Sequence, residues 1–427
     1  MKCISRLFQP LITIPKNAKI KNSEITCKSQ KLLLELGLIK PTGSGLFSLL
    51  PLAKRAADKL EAVLCRHIEA VGGQRLSLPT LTASSLWEKT GRLNDVGPEL
   101  ITLEDRHEHK YLLAPTHEET IADLLADTAL SYKQLPLLLY QISNKYRDEL
   151  RPKHGLLRAR EFLMLDAYGI HGSIECATQT YQRVTDAYSN AFKELQLPVL
   201  RVEAPTGDMG GSFSHEWQLC ASAGEDVTSV CPSCSHAKLR DEDGDICETC
   251  NREMQAFNSI EVGHTFVLGT KYSAPLGAKL VPPSGAACAV VMTCFGIGVT
   301  RLLAASLEAL STDTSLRWPT TIAPYSVIII GPKEGSNEWP HGWERVTDVY
   351  EELSKSAAFR DDVIVDDRHH LTIGKRLMMA DRVGYPLIVV CGKSASTGKY
   401  EVYRNGNSQL MTLEELTEGE KRITNKI

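Results

Sequence analysis

The stretch 144-NKYRDELRPKHGLLRAREFLMLDAY-168 constrains the fold of this chain more than any other. Read with the two-residue period of a strand, it becomes orderly. Two strand candidates, 137–149 and 156–168, flank a charged loop carrying Pro152 and Gly155. On the first strand Lys145, Arg147 and Glu149 share a face. On the second, Arg158, Arg160, Phe162, Met164, Asp166 and Tyr168 share one, with Leu163, Leu165 and Ala167 opposite. One face of such a hairpin seals a core; the other is polar with an aromatic in its middle. Paired arginines grip phosphate oxygens in fork geometry, a carboxylate accepts hydrogen bonds from an amino group, and Phe162 offers a flat surface to a base. A solvated face of surface ion pairs, each worth little, leaves the same pattern.

The rest of the chain supplies the partners such a hairpin needs. Residues 28–50 read as a short helix, a glycine turn at 43-GSG-45 and an apolar strand, and Pro51 opens a helix of about 20 residues with apolar positions at helical spacing. The pattern predicts strands at 74–81, closed by Pro79, and at 111–114. Thr116 is placed to cap the helix that follows. A long helix is expected near 174–195, strands at 262–280 and 286–295, and a helix from about 298 to 310. After a boundary near 313–323 the rhythm is strand, helix, strand, helix, strand, which predicts a separate small α/β domain. The fold class is therefore α+β, an antiparallel sheet with helices outside, followed by that domain.

Composition excludes several classes. The 427 residues are 43% hydrophobic and 23% charged, a soluble globular balance, and the apolar runs are strand-sized, too short to insert in a membrane. A net charge of −4 argues against coating nucleic acid by bulk positive charge, while leaving room for a local basic face. Of twelve cysteines, Cys231, Cys234, Cys247 and Cys250 form C-x2-C-x12-C-x2-C, the spacing of a structural zinc ribbon. The rival is a metal-free cluster of reduced thiols; four thiolates leave no open position for a catalytic Zn²⁺. The first 31 residues hold seven Lys or Arg against one acidic residue, Glu24, which suits a basic presequence over 1–25 as well as a basic surface arm.

These segments together resemble the class II aminoacyl-tRNA synthetases, prolyl branch. "YRDE", a loop and "GLLRAREFLMLDAY" are similar to motif 2, and the resemblance implies that Arg147 contacts the ATP α-phosphate, Glu149 the adenine amino group, and Phe162 the adenine ring. Leu165 stands where the family has lysine, and His154 where its loop has an aromatic. The segment 293-TCFGIGVTRLLAA-305 is similar to motif 3, with Arg301 on the γ-phosphate and with Cys294 and Gly296 lining the amino-acid pocket. The loop 114-APTHEET-120 resembles the family's Thr-x-Glu element, so Thr116 and Glu118 meet the substrate ammonium, with Asp166 the other candidate carboxylate. His264 and 214-SHEW-217 match patterns near the same site. The segment from 43 to Pro79 resembles motif 1, which implies a homodimer.

The resemblance divides the chain into a catalytic domain at 26–315 with the cysteine insert at 225–256, an anticodon-binding domain at 322–415, and a tail at 416–427. It implies that Arg368, Lys375 and Arg376 contact tRNA. The absence of a large domain after motif 2 matches the mitochondrial form, which places the protein in the mitochondrial matrix. The reaction expected is activation of L-proline with ATP and Mg²⁺, then transfer to tRNA(Pro). The alternatives are a non-catalytic nucleic-acid-binding accessory subunit, which would have lost the phosphate arginines, and threonyl or glycyl specificity.

Overall fold

The computed structural model describes residues 1–10, 25–128, 130–240, 246–282, 285–404 and 406–417. Its larger unit is built on a nine-stranded sheet. The strands are β1 (Gly73–Arg75), β2 (Leu137–Tyr146), β3 (Glu161–His171), β4 (Val199–Ala204), β5 (Phe213–Cys220), β6 (Asp226–Val230), β7 (Ala237–Leu239), β8 (Gln255–Gly269) and β9 (Val291–Gly298). Their order is β7-β6-β8-β9-β3-β2-β1; β5 also pairs with the long β8, and β4 with β5. Every pairing is antiparallel except β1 with β2.

The main helices on this sheet are α1 (Pro51–Ala70), α2 (Glu118–Ala126), α3 (Ile174–Glu194) and α4 (Val299–Leu310). Pro51 occupies the first turn of α1, where its missing N–H costs nothing, and Ala53, Ala56, Leu60, Val63 and Leu64 form the buried stripe. Ser173 caps α3 by accepting the Cys176 N–H. Helices α1, α3 and α4 pack on the face carrying Leu165, Ala167, Phe295 and Ile297. Helix α2 packs instead on one end of the opposite face, beside Tyr168, Phe266 and Cys294. Part of the rest of that opposite face lines an open cavity.

Register fixes what stands on it. Gln141 pairs with Asp166, Asp166 with Gly296, Gly296 with His264, and His264 with Glu216, a single row across β2, β3, β9, β8 and β5. Met164 lies over Gly296: a Cβ there would meet Met164 Cε at 2.3 Å, so the methionine tip would have to move aside.

The smaller unit is a five-stranded sheet, β10 (Val327–Ile330), β11 (Val363–Asp366), β12 (Leu387–Val390), β13 (Lys399–Arg404) and β14 (Asn407–Thr412), with helices α5 (Trp339–Lys355) and α6 (Ile373–Val383). The order is β11-β10-β12-β13-β14, parallel around β10 and antiparallel beyond. The β-α-β-α-β rhythm of the sequence is present; the β13–β14 hairpin adds an antiparallel edge to it.

Several local expectations are corrected. The second hairpin strand begins at Glu161, not 156, because Gly155–Leu157 forms a 3-10 turn that buries Leu156 and Leu157. The strand expected at 74–81 pairs only as far as Leu76, and that expected at 262–280 stops at Gly269, whose φ is +63°. Thr116 does not cap α2: its hydroxyl donates to the Glu118 carboxylate at 2.6 Å, and His117 occupies the cap position. Residues 1–10 form a surface segment laid across both units, with Cys3 bridged to Val365, Ile4 buried and Gln9 bonded to the Leu36 carbonyl. The remainder of the expected presequence, 11–24, and the tail beyond 417 lie outside the described residues.

Candidate active site

A cavity of about 340 Å³ opens over the row of paired residues. At one end it is lined by Arg147, Phe162 and Arg301, and at the other by Thr116, Glu118 and Cys294, with His264 and Gly296 between. Residues read as separate motifs thus converge on one space.

Arg147 follows the last paired residue of β2, and its N–H donates to the Arg160 carbonyl at 2.9 Å, so the hairpin pairing holds it at the sheet's end. Its guanidinium lies 5.5 Å from the Phe162 ring centre. Among the described residues no group accepts a hydrogen bond from it. Burial, and then the like charge of Arg301, pull its pKa down. Arg301, in the first turn of α4, donates to the carbonyls of Leu157 at 2.9 Å and Glu261 at 3.2 Å and lies 3.6 Å from the Glu261 carboxylate. Two guanidinium groups repelling one another across a cavity form a site for a multiply charged anion.

Beneath this end, Glu261 bonds His264 Nδ1 at 3.2 Å, and Glu216 stands 3.9 Å from the same nitrogen. The ligand atoms of these three side chains lie within 4.8 Å of one another. Burial and then the charge of Glu261 push the Glu216 carboxyl up. Burial acts likewise on Glu261, but His264, Arg301 and Arg147 hold its carboxyl below the usual range.

At the other end the chemistry is reversed. The Glu118 carboxylate, fully buried, accepts from the Thr116 hydroxyl at 2.6 Å and the Cys294 thiol at 3.0 Å. Arg92 stands 3.6 Å from Glu118 and 3.1 Å from Glu119, with its guanidinium over the Trp87 ring. Asp166 pairs with Lys145 at 2.7 Å and accepts from Tyr168 and Gln141 at 2.7 and 3.1 Å. Lys145 also reaches His117 Nδ1 at 2.9 Å, and His117 Nε2 meets the Pro79 carbonyl at 3.1 Å. That network assigns the His117 proton to Nε2. Formally, Arg92 and Lys145 face Glu118, Glu119 and Asp166, which leaves one negative charge in a dry pocket, the complement of one ammonium ion. Burial, followed by the charge of Glu118, raises the Cys294 pKa far above its ordinary value, so it remains a neutral thiol.

Two expected site residues lie outside the cavity lining. Glu149 is held by Arg158 at 2.8 Å, at the rim of the hairpin loop. Asp166 sits below the floor, its charge met by Lys145. Reading the sequence missed Arg92, Glu119 and Glu261, and assigned no role to Lys145. Each takes its role from a partner on another element, and spacing along the chain does not report that.

Away from the cavity, the cysteine pairs form two matching turns. Ser235 and Asn251 have φ of 59°, and the N–H groups of Cys231 and Cys247 donate to His236 and Arg252 at 2.8 Å. The four sulfurs lie within 4.8 Å of one another, with closest pairs at 3.4 and 3.5 Å and no disulfide.

In the smaller unit the three expected RNA contacts part company. Lys375 is exposed, and Arg368 forks onto Asp366 at 2.9 and 2.5 Å. Arg376 is corrected: it is fully buried and donates to the carbonyls of Asp366, Gly331 and Pro332, bolting the ends of β10 and β11 together.

Comparison with known proteins gives a consistent result. A family described as tRNA synthetase class II core domain (G, H, P, S and T) matches residues 101–310, and one described as anticodon binding domain matches 326–421. The "Probable proline--tRNA ligase, mitochondrial" of Homo sapiens is 44% identical over 400 residues, 92% of this chain and 84% of that protein. The "Proline--tRNA ligase" of Rhizobium johnstonii is 34% identical over 444 residues, 96% and 98% of the two chains. Among solved structures, Giardia lamblia prolyl-tRNA synthetase in complex with prolyl-adenylate superposes with a TM-score of 0.77 at 18% identity, covering 91% of this chain and 75% of that one, a likeness of fold.

Proposed function

The chain belongs to the proline–tRNA ligases of the class II aminoacyl-tRNA synthetases, and on that footing we propose how its cavity divides the work. The enzyme activates L-proline with ATP to prolyl-adenylate and transfers the prolyl group to the 3′ end of tRNA(Pro). The observation that carries the reading is that Arg147 and Arg301 share one cavity with Thr116 and Glu118. The triphosphate lies at the arginine end, with Arg147 on the α-phosphate, Arg301 on the γ-phosphate and the adenine against Phe162. The proline ammonium lies at the Glu118 end, where the formal charge deficit is. Its carboxylate then points at the α-phosphorus.

The carboxylate needs no protein base to attack. It is already ionised, so the protein supplies placement and charge neutralisation. Glu261 and Glu216, hard oxygen donors beside the arginines, are the groups that would hold Mg²⁺, which when bound offsets phosphate charge. In the second step the terminal adenosine hydroxyl of the tRNA attacks the adenylate carbonyl and AMP leaves.

The four thiols fit a structural Zn²⁺: tetrahedral coordination at about 2.3 Å separates sulfurs by about 3.8 Å, close to the observed contacts. Lys375 and Arg368 remain RNA contacts in this reading, and motif 1 supplies a homodimer interface. The names of the mitochondrial relatives support a mitochondrial location, taken here as the matrix.

Purified protein should catalyse ATP–pyrophosphate exchange with proline and not with threonine or glycine, and should charge tRNA(Pro). Exchange with threonine or glycine in place of proline would overturn the specificity. Tight tRNA binding with no exchange would favour an accessory subunit.

A further inference from the structure

Outside the cavity, one carboxylate gathers Lys153, His154 and Arg158 from the charged loop that joins β2 to β3. Glu225 stands immediately before β6, at the root of the cysteine insert. Its Oε1 is 2.7 Å from Lys153 Nζ and 3.8 Å from His154 Nε2, and its Oε2 is 3.0 Å from Arg158 Nη1. Arg158 in turn donates from Nε to Glu149 at 2.8 Å. The loop is gripped from a second side where His154 Nδ1 meets the Thr26 hydroxyl at 2.7 Å. Burial acts to raise the Glu225 pKa, but Lys153 and then Arg158 hold it below the usual carboxylate range, so the anchor is ionised at neutral pH.

The geometry points to Glu225 as a positioning residue for ATP: it fixes Arg158, and through Arg158 it aims Glu149 at the adenine amino group. This rests on the adenine contact that the resemblance to motif 2 implies for Glu149, which stands at the rim of the cavity. The arrangement gives His154 a purpose. With φ of 58° it turns the loop, and its ring bonds the Thr26 hydroxyl while standing 3.8 Å from Glu225. Without Glu225, Lys153 would lose its carboxylate partner, and the Arg158 guanidinium would keep only its Nε contact with Glu149, its Nη1 end free to turn toward solvent. Glu225 is itself 39% exposed, so the pairs it makes act through geometry more than through stability.

The test is ATP–pyrophosphate exchange by Glu225→Gln, Glu149→Gln and the double variant, with ATP and with a purine triphosphate lacking the 6-amino group. Glu225→Gln should raise the KM for ATP about fivefold, the scale of one exposed ion pair. The KM for proline and for the amino-free analogue should not move, and Glu225→Asp should restore part of the loss. In the Glu149→Gln background the second change should add less than twofold. An unchanged KM for ATP, an equal rise for proline, or additive effects in the double variant would overturn the proposal while leaving the Glu149 assignment intact. A Glu149→Ala variant, which has lost the acceptor that glutamine keeps, would overturn the assignment and this route together if it still preferred ATP over the analogue.

Discussion

Arg92 shares its charge between Glu118 and Glu119 with almost no solvent contact, and both carboxylates depend on it. Burial pushes the Glu119 carboxyl up and Arg92 opposes that shift. Arg92→Met should therefore destabilise the protein by roughly 3 kcal/mol, the cost of stranding a buried carboxylate. It should raise the KM for proline more than that for ATP. Urea unfolding and exchange kinetics check both; a variant of unchanged stability would mean that the pair is solvated. His171, buried between Thr293 and Cys176, titrates at about 4 because burial disfavours its charged form. The unfolded chain binds this proton near pH 6.5, so stability is complete above that pH and falls as pH drops toward 4. Between pH 7.5 and 5 the loss is about 2 kcal/mol, and His171→Asn should remove that part of the slope in denaturant titrations. Arg147 and Arg301 stood out in the sequence as candidate phosphate ligands because each sits inside a patterned segment, and they do line one cavity. Arg92 follows a short helix with no periodic signal, and its partners lie on another element.

At the scale of elements, the strands that line the site were readable because their alternation is strict, and α1 because Pro51 opens a regular stripe. What was lost were strand ends. Gly269 turns the chain where apolar residues continue, and Leu156–Leu157 bury without pairing. The β13–β14 hairpin escaped because its residues are largely polar and exposed on β14. Helix α6 shows how two neighbouring cations can differ. Arg376 holds three carbonyls inside the domain, whereas Lys375 faces solvent. Arg376→Ala should unfold the smaller unit by about 3 kcal/mol, having removed the donor of several buried acceptors. Lys375→Ala should leave stability unchanged within about 0.5 kcal/mol and weaken tRNA binding. Thermal melts with a tRNA titration separate the two; equal melting temperatures would contradict the assignment.

Across the whole molecule the two units share one apolar cluster, with Ile328, Ile364 and Ile388 joined to that of Leu60 and Leu64, and are clasped by charge at its edge. Asp362, before β11, takes Arg55 at 3.0 Å and Lys59 at 2.7 Å from α1, while residues 1–10 reach from Gln9, bonded to the Leu36 carbonyl, to Ser5 on Asp367. The order of the units was evident from the composition change near 313–323, but this clasp was not, since it joins charges some 300 positions apart. Asp362→Asn should loosen the placement of the smaller unit, lowering tRNA charging several-fold while ATP–pyrophosphate exchange, confined to the larger sheet, stays near wild type; equal losses would show that the clasp serves the catalytic unit alone. The most direct test of the account is that same exchange reaction at saturating proline for Arg147→Ala and Arg301→Ala. Each should lose about 10²- to 10³-fold in rate with an unchanged melting curve, since each removes charge where the transition state gathers it. Near-normal exchange by either variant would mean that the triphosphate does not lie between them.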